Sequence, residues 1–156
     1  MLKLTKKADY GLITLKHLAT RGRERAASAK EMAELYRIPL PILSKVLQKL
    51  AKEGFLLSEQ GTNGGYRLAK EASLISALEV IRAIDGPIIL TACFTDHRGC
   101  DQSDQCTVRE PLRKVHEGIL RLLDSIKISD LSCESDAVHT PRMTGQVLEQ
   151  LTVLSS

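Results

Sequence analysis

The fold is decided by residues 28–68, which read SAKEMAELYRIPLPILSKVLQKLAKEGFLLSEQGTNGGYRL. Ser28 and Glu31 open this stretch with the S-x-x-E spacing of a capping box, in which two side chains satisfy the first free N–H groups of a helix. The sequence therefore predicts a short helix from about Ala29 to Tyr36.

A second helix follows after a short turn. Residues 37–39 predict the turn, and Pro41 suits the first turn of a helix that ends near Glu53. Gly54 then fits the left-handed position that commonly terminates helices. Two helices joined by a turn of three or four residues form a helix-turn-helix motif, although any pair of consecutive helices has the same outline.

The helix that begins near Pro41 has two contrasting faces. Its apolar face, which we expect to pack in the core, carries Leu43, Val46, Leu47 and Leu50. Its other face holds short polar groups and cations but no carboxylate, whereas an ordinary solvated helix face mixes acids with bases. This face suits the phosphate-lined major groove of DNA. Its residues are Pro41, Ser44, Lys45, Gln48, Lys49 and Lys52.

Two short strands are predicted next, at residues 55–60 and 66–69. Residues 61–65, Gly-Thr-Asn-Gly-Gly, tolerate positive φ and predict a tight turn between them. A β-hairpin directly after a cation-faced helix is the wing of a winged helix-turn-helix, which favours DNA binding. We expect further DNA contacts from the start of the motif and from the wing, at Ser28, Gln60, Thr62 and Asn63.

The charge is distributed unevenly along the chain. Residues 1–70 carry 14 Lys/Arg and 6 Asp/Glu, a net charge of +8, whereas residues 71–156 carry 8 and 13, a net charge of −5. A basic N-terminal half indicates a polyanionic partner, and the acidic half argues against uniform nonspecific attraction. An ordinary solvated basic surface is the alternative interpretation.

Three further helices are predicted around the motif, at residues 5–20, 77–85 and 108–127. Thr5 and Ser76 can cap the first two. In the third helix, apolar residues recur at alternating spacings of four and three, a heptad seam that favours pairing with a second copy of the helix. The alternative is a helix packed on its own domain. The seam comprises Val108, Leu112, Val115, Ile119, Leu122 and Ile126.

Three cysteines lie in a polar segment before the last helix, at Cys93, Cys100 and Cys106. A cysteine used only for packing has apolar neighbours, whereas these stand among Asp, Gly, Ser and Gln. Thiolates on a loop suit zinc or an iron–sulfur cluster, and the spacing departs from the C-x2-C pairs of common zinc sites. Unrelated free thiols are the alternative. Cys133 lies beyond a helix on the order of 30 Å long, and is therefore expected to be a free thiol.

Three motifs carry a family resemblance: Leu4-Thr5 with Asp9-Tyr10-Gly11, the wing sequence Gly61-x-x-Gly64-Gly65-Tyr66-Arg67-Leu68, and Ile84-Asp85-Gly86. Together they resemble the Rrf-two (Rrf2) family of bacterial transcription regulators over about residues 1–132. That family includes IscR-type iron–sulfur sensors and NsrR-type nitric-oxide sensors. The N-terminal motif is most similar to the branch that regulates SUF cluster-assembly genes.

The resemblance implies a homodimeric winged-helix regulator with an iron–sulfur cluster on its three loop cysteines, of the 2Fe–2S type in preference to 4Fe–4S. IscR-type members place a His three residues after the third cysteine, where this chain has Arg109, whose protonated guanidinium cannot ligate. NsrR-type members can use an Asp from the partner's first helix, at the position of Asp9. Glu110 and His97 are local alternatives, and Asp9 can also serve simply to favour the helix N-terminus.

These observations predict a mainly α protein with a small β-hairpin. Residues 1–86 form the winged helix-turn-helix domain, residues 87–106 the cluster segment, residues 107–131 the dimerisation helix, and residues 132–156 a flexible tail. No apolar run reaches membrane-spanning length and no signal core precedes the first helix, so a soluble cytoplasmic protein without a membrane partner is expected.

The predicted function is that of a repressor that binds a palindromic DNA operator as a homodimer, with its affinity controlled by the cluster and iron–sulfur cluster biogenesis genes as targets. Two alternatives keep the same fold. One is a nitric-oxide or redox sensor, and the other is a cluster-free DNA-binding module that acts through thiol oxidation. A redox enzyme or electron carrier is not expected, because the cation-faced helix indicates DNA binding and the chain carries no substrate motif.

Overall fold

The computed structural model describes residues 3–91, 94 and 105–132. In this part of the chain the helices are α1 (Lys6–Arg21), α2 (Ala29–Tyr36), α3 (Leu40–Lys52), α4 (Ala77–Asp85), α5 (Arg109–Ser125) and α6 (Ile128–Ser132), and the strands are β1 (Leu56–Glu59) and β2 (Gly65–Leu68). The predicted fold class, mainly α with one hairpin, is confirmed. Outside the described residues lie the predictions on Cys93, His97, Cys100, Cys133 and residues 133–156.

Side-chain caps determine where the helices begin. Ser28 Oγ accepts a hydrogen bond from the Glu31 N–H at 3.0 Å, as the first half of the predicted capping box. In the described contacts the Glu31 carboxylate pairs with Arg21 of α1 and not with the Ser28 N–H. A complete box is found at α4, where Ser76 and Glu79 exchange bonds of 3.2 and 2.9 Å. The Glu31 carboxylate at the start of α2 therefore links α2 to α1 through Arg21.

The wing is a two-stranded antiparallel hairpin attached to the chain before α2. Its register pairs Leu56 with Leu68 and Glu59 with Gly65. Ala27 and Tyr66 exchange two backbone hydrogen bonds of 2.9 Å, which fasten the wing to the helix-turn-helix. A Cβ atom at Gly65 would lie 2.3 Å from the Ala27 carbonyl oxygen, so this close approach requires glycine.

The core forms where α1, α3 and α4 meet. The predicted apolar face of α3 is buried, with Leu43, Val46, Leu47 and Leu50 at most 3% exposed. A Cβ atom at Gly11 of α1 would lie 2.3 Å from Ile84 Cδ1 of α4, which shows how closely these two helices pack. The cation-bearing face of α3 is thereby held outward, because the opposite face is fully used in packing.

Helix α5 leaves this core, and α6 returns to it. Among the described residues α5 buries none, whereas Ile128 of α6 is completely buried. Between the two helices, the Ala77 N–H donates to the Ile126 oxygen at 2.8 Å and the Ile128 N–H donates to the Ile75 oxygen at 2.9 Å. Because of this pairing, the backbone of Ile126 is extended and α5 ends at Ser125. The sequence had predicted that the helix would include Ile126 as the last residue of the seam. The predicted arm of residues 107–131 therefore includes a short helix that belongs to the core.

In the part of the chain that the structure describes, none of the helices combines the length and the apolar character needed to cross a bilayer.

Candidate nucleic-acid interface and regulatory segment

The outward face of α3 carries the residues that the sequence predicted for DNA contact. Ser44 is half-buried, and the other members of the predicted set are exposed. The first turn of the helix has no acidic residue, and its last turn carries Lys49 and Lys52. Among the described residues neither Lys45 nor Lys52 has an ion-pair or hydrogen-bond partner for its ammonium. Two cations are thus available to phosphate along this face.

Lys49 differs from these two lysines. Its Nζ donates a hydrogen bond of 2.9 Å to the backbone oxygen of Ile84, near the C-terminal end of α4. The sequence pattern treats Lys49 like Lys45 and Lys52, because it cannot reveal this link between positions 35 residues apart. The structure thus separates Lys49 from the two unengaged lysines of α3.

The wing tip and the start of α2 enclose a common cleft of about 540 Å³. Ser28, Thr62 and Asn63 line this cleft, so three of the predicted DNA contacts lie together. Gln60 is exposed at the end of β1. The cleft is open, and its lining mixes basic side chains with the carboxylates of Glu24, Glu31 and Glu59. Glu31 and Glu59 are each paired with an arginine.

Arg25 also lines this cleft, and the residue-by-residue prediction did not include it. Its guanidinium is unpaired among the described residues, whereas Arg21 is paired with Glu31 and Arg67 with Glu59. The basic character of residues 21–25 was the available signal, but only the folded chain distinguishes the free arginine from the paired ones.

Behind this interface, α1 and α2 are joined by a small polar network. His17 Nδ1 and the Tyr36 hydroxyl are hydrogen-bonded at 3.0 Å, with the rings edge to face. Burial, and then the nearby Arg21, lower the pKa of His17. The hydrogen bond from Arg21 is the main reason that the pKa of Glu31 is also lowered. The network therefore favours a neutral histidine between an ionised acid and a paired arginine.

Two described residues of the cysteine segment bear on its role, Cys106 and Phe94. Cys106 is a free, half-buried thiol just before the helix. Phe94 stacks on His116 of α5, with ring centroids 5.2 Å apart and an angle of 28° between the planes. A partly accessible thiol among polar neighbours suits a metal ligand better than a packing residue. Within the described ranges, no three potential ligands are gathered into a site, and two of the three predicted cysteines lie outside those ranges.

The candidates for a fourth ligand differ in their availability. Asp9 is exposed in the first turn of α1, and its carboxylate has no partner among the described residues. Glu110 is engaged by the Arg113 guanidinium, and this hydrogen bond is the main cause of its lowered pKa. Arg109 occupies the first position of α5. Of the two described carboxylates, Asp9 is therefore the free one.

The apolar seam of α5 is exposed in a regular pattern. Val108, Val115 and Leu122 stand seven residues apart and are 56%, 52% and 63% exposed. Leu112 and Ile119, between them, are half-buried. Large apolar side chains in this repeat form the contact surface of paired helices. Among the described residues, the seam thus forms an apolar stripe along α5 that is largely exposed.

Comparison with known proteins connects these features to one family. The chain matches the Rrf2 family, described as an iron-dependent transcriptional regulator, over residues 4–134. It is 33% identical to the HTH-type transcriptional regulator NsrR of Bacillus licheniformis over 139 residues, which cover 88% of this chain and 97% of that protein.

Solved structures show the same relationship. CymR, the global cysteine regulator of B. subtilis, is similar with a TM-score of 0.73 and 29% identity, covering 87% of this chain and 100% of that one. The T. potens IscR structure is similar with a TM-score of 0.64 and 28% identity, covering 83% and 85% of the two chains. These relatives are regulators and not enzymes. The winged helix-turn-helix, its basic outward face and these similarities establish that the chain belongs to the Rrf2 family of transcriptional regulators.

Proposed function

We propose that this regulator binds a palindromic DNA operator as a homodimer, with α3 in the major groove and the wing beside it. The observation that carries the proposal is the outward face of α3, where Lys45 and Lys52 are unpaired and no carboxylate is present. A carboxylate there would repel the phosphates that line the groove, whereas free cations release counterions from DNA when they bind.

The uncovered stripe on α5 supports the homodimer. Two copies of the stripe can cover each other around a two-fold axis, as isologous interfaces do. Pairing would also hold two copies of α3 at a fixed separation, and about 34 Å is needed to place two recognition helices in successive major grooves. Because the chain just after α5 is fastened to the core on both sides of Lys127, the geometry of the dimer would be passed to the DNA-binding domains.

In this proposal, an iron–sulfur cluster held by Cys93, Cys100 and Cys106 controls the affinity for the DNA operator. The description of the family as iron-dependent supports it, and the accessible thiol of Cys106 fits a ligand. The free carboxylate of Asp9, supplied by the partner subunit, is the proposed fourth ligand. A cluster of the 2Fe–2S type is preferred to 4Fe–4S. Thiolates suit such a centre, and a harder carboxylate ligand would leave it labile and suited to sensing.

The proposed targets are genes for iron–sulfur cluster assembly, of the SUF type, with the protein acting as a repressor. A second candidate function is the sensing of nitric oxide or oxidants by the same fold. The similarity to NsrR favours it, because members of that type are nitric-oxide sensors by the resemblance noted above. In a third version no cluster is used and the thiols themselves are regulatory, for which the partly accessible thiol of Cys106 is also suited.

The experiment that separates these versions is the iron content and absorption spectrum of protein purified without oxygen. The proposal expects stoichiometric iron and visible absorption bands that are lost in Cys106→Ala, whereas Cys133→Ala is the matched control and keeps them. A colourless, iron-free protein with full operator binding would contradict the cluster and favour regulation by thiols.

A further inference from the structure

One side chain links the recognition helix to the segment that leads to the cysteines. Lys49 of α3 donates from Nζ to the Ile84 oxygen at 2.9 Å. Ile84 lies in the last turn of α4, where backbone carbonyls have no partner within the helix. The ammonium therefore satisfies a free carbonyl and lies at the negative end of the helix dipole.

The position of Lys49 around α3 agrees with this role. Residues seven apart in a helix lie nearly in line, so Lys45 and Lys52 follow one row along the outward face. Lys49 is turned from Lys45 by about 40° at 3.6 residues per turn, and its side chain is directed to α4. Its ammonium is therefore on the flank of α3, where it binds protein, while the two aligned lysines are left for phosphate.

The same end of α4 is also held by α1. The Thr5 hydroxyl donates to Asp85 Oδ1 at 2.6 Å, and the Thr5 N–H donates to Asp85 Oδ2 at 3.2 Å. Asp85 is directly followed by Gly86, which adopts a φ of +86° and turns the chain out of the helix toward the cysteine segment. The beginning of α1, the flank of α3 and the start of the cysteine segment thus converge on two residues of α4.

We infer that Lys49 is a positioning residue and not a phosphate contact, and that it carries the state of the segment beginning at Gly86 to the recognition helix. The inference rests on the proposed function, because it requires that α3 binds DNA and that the cysteine segment controls affinity. It adds the route: a displacement of the last turn of α4 moves the carbonyl that holds Lys49, and α3 shifts relative to the groove.

The first test compares the salt dependence of operator binding in Lys49→Met and Lys45→Met. Methionine keeps the unbranched stem and removes the ammonium. Each phosphate contact contributes about 0.9 to the slope of log K against log salt, so Lys45→Met, which removes one contact from each subunit of the dimer, should lower the slope by about 1.8. Lys49→Met should weaken binding about fivefold with an unchanged slope. The reason is that α3 is then less well positioned against the DNA, while no phosphate contact is removed. A slope lowered as in Lys45→Met would overturn the inference.

A second variant guards against simple unfolding. Lys49→Arg can still donate to the Ile84 oxygen and should restore most of the affinity lost in Lys49→Met. If both variants bind DNA equally weakly while their circular dichroism matches that of the wild type, the hydrogen bond to α4 does not position α3 and the inference is wrong.

The route is tested by a double-mutant cycle with Cys106→Ser. If Lys49 transmits the state of the cysteine segment, Cys106→Ser should change operator affinity in the wild type but have little further effect in Lys49→Met. In Lys45→Met, the matched control, the two changes should add. Additive effects in both backgrounds would overturn the route. If Cys106→Ser leaves the affinity of the wild type unchanged, the proposed control by the cysteines fails and the route fails with it, while the salt slopes still decide where the Lys49 ammonium acts.

Discussion

Helices α3 and α5 carry similar apolar patterns and use them in opposite ways. The apolar face of α3 is buried inside the chain, with Leu43, Leu47 and Leu50 fully covered. In contrast, Val115 and Leu122 of α5, and Val108 directly before it, are each more than half exposed. Both helices present cations as well, but on α5 Arg113 is paired with two glutamates. Similar amphipathic patterns can thus have different roles: the apolar face of α3 packs in the core of its own domain, while that of α5 is exposed and available to a second protein surface.

The largest effect that this contrast predicts is on folding. Leu47→Ala should lower the free energy of unfolding by about 2–5 kcal/mol, because it removes a fully buried side chain and leaves a cavity. Leu122→Ala, the matched change on α5, should leave the stability of the dissociated monomer nearly unaltered, because this side chain is 63% exposed. Urea unfolding at equal protein concentration measures both. A comparable loss in both variants at concentrations below dimer dissociation would remove the distinction between the helices.

The second effect is on assembly. Val115→Asp would bury an unpaired carboxylate at the centre of the stripe, which costs several kcal/mol and should produce monomers. Leu74→Asp changes an equally exposed apolar residue outside α5 and should leave the dimer intact. Sedimentation velocity distinguishes the two results. A dimer that survives Val115→Asp would place the interface on another surface.

The third effect concerns the two described carboxylates that are candidates for the fourth cluster ligand, Asp9 and Glu110. Asp9→Ala should shorten the lifetime of the cluster in air or shift its absorption bands, while the dimer persists. Glu110→Ala should have little effect, because that carboxylate is already engaged by Arg113. The reverse outcome, with a wild-type spectrum in Asp9→Ala and a lost cluster in Glu110→Ala, would make the fourth ligand local and not shared between subunits.

The smallest effect is on pH dependence. Burial lowers the pKa of His17 in the folded protein, so the unfolded chain takes up a proton first as the pH falls through about 6.5. Stability should therefore be fully retained above the unfolded value and decrease as the pH falls from about 6.5 toward the folded pKa of His17. His17→Gln should make this decrease smaller in urea unfolding at pH 7.5 and 5.5. An identical decrease in the variant would assign the pH dependence to other groups.

Local features of the fold were predictable from the sequence. The start of α2 follows from the Ser28 cap, and the apolar face of α3 follows from its periodicity, because both are properties of neighbouring residues. The glycine-rich turn predicted the hairpin in the same way. The proposed DNA-contact residues could thus be chosen from the pattern of one helix and one turn, and their contacts with DNA stay a prediction.

Contacts between distant residues were not predictable. The seam continued to Ile126 in the sequence, but pairing with the chain before α4 ends the helix at Ser125. Lys49 looked equivalent to Lys45 until the Ile84 oxygen was placed beside it. Arg21 and Arg25 look alike in the sequence, but among the described residues Arg21 is paired with Glu31 and Arg25 has no acidic partner. In each case the deciding partner comes from another element, which periodicity and spacing cannot reveal.

The most direct test of the central claim is the affinity of the purified dimer for a selected operator, before and after removal of its iron. The account predicts that iron removal changes the affinity by at least about tenfold, or ~1.4 kcal/mol of coupling, and that Cys106→Ala shows the iron-free value under both conditions. Equal affinities with and without iron, in a protein shown to contain the cluster, would contradict control through the cysteine segment.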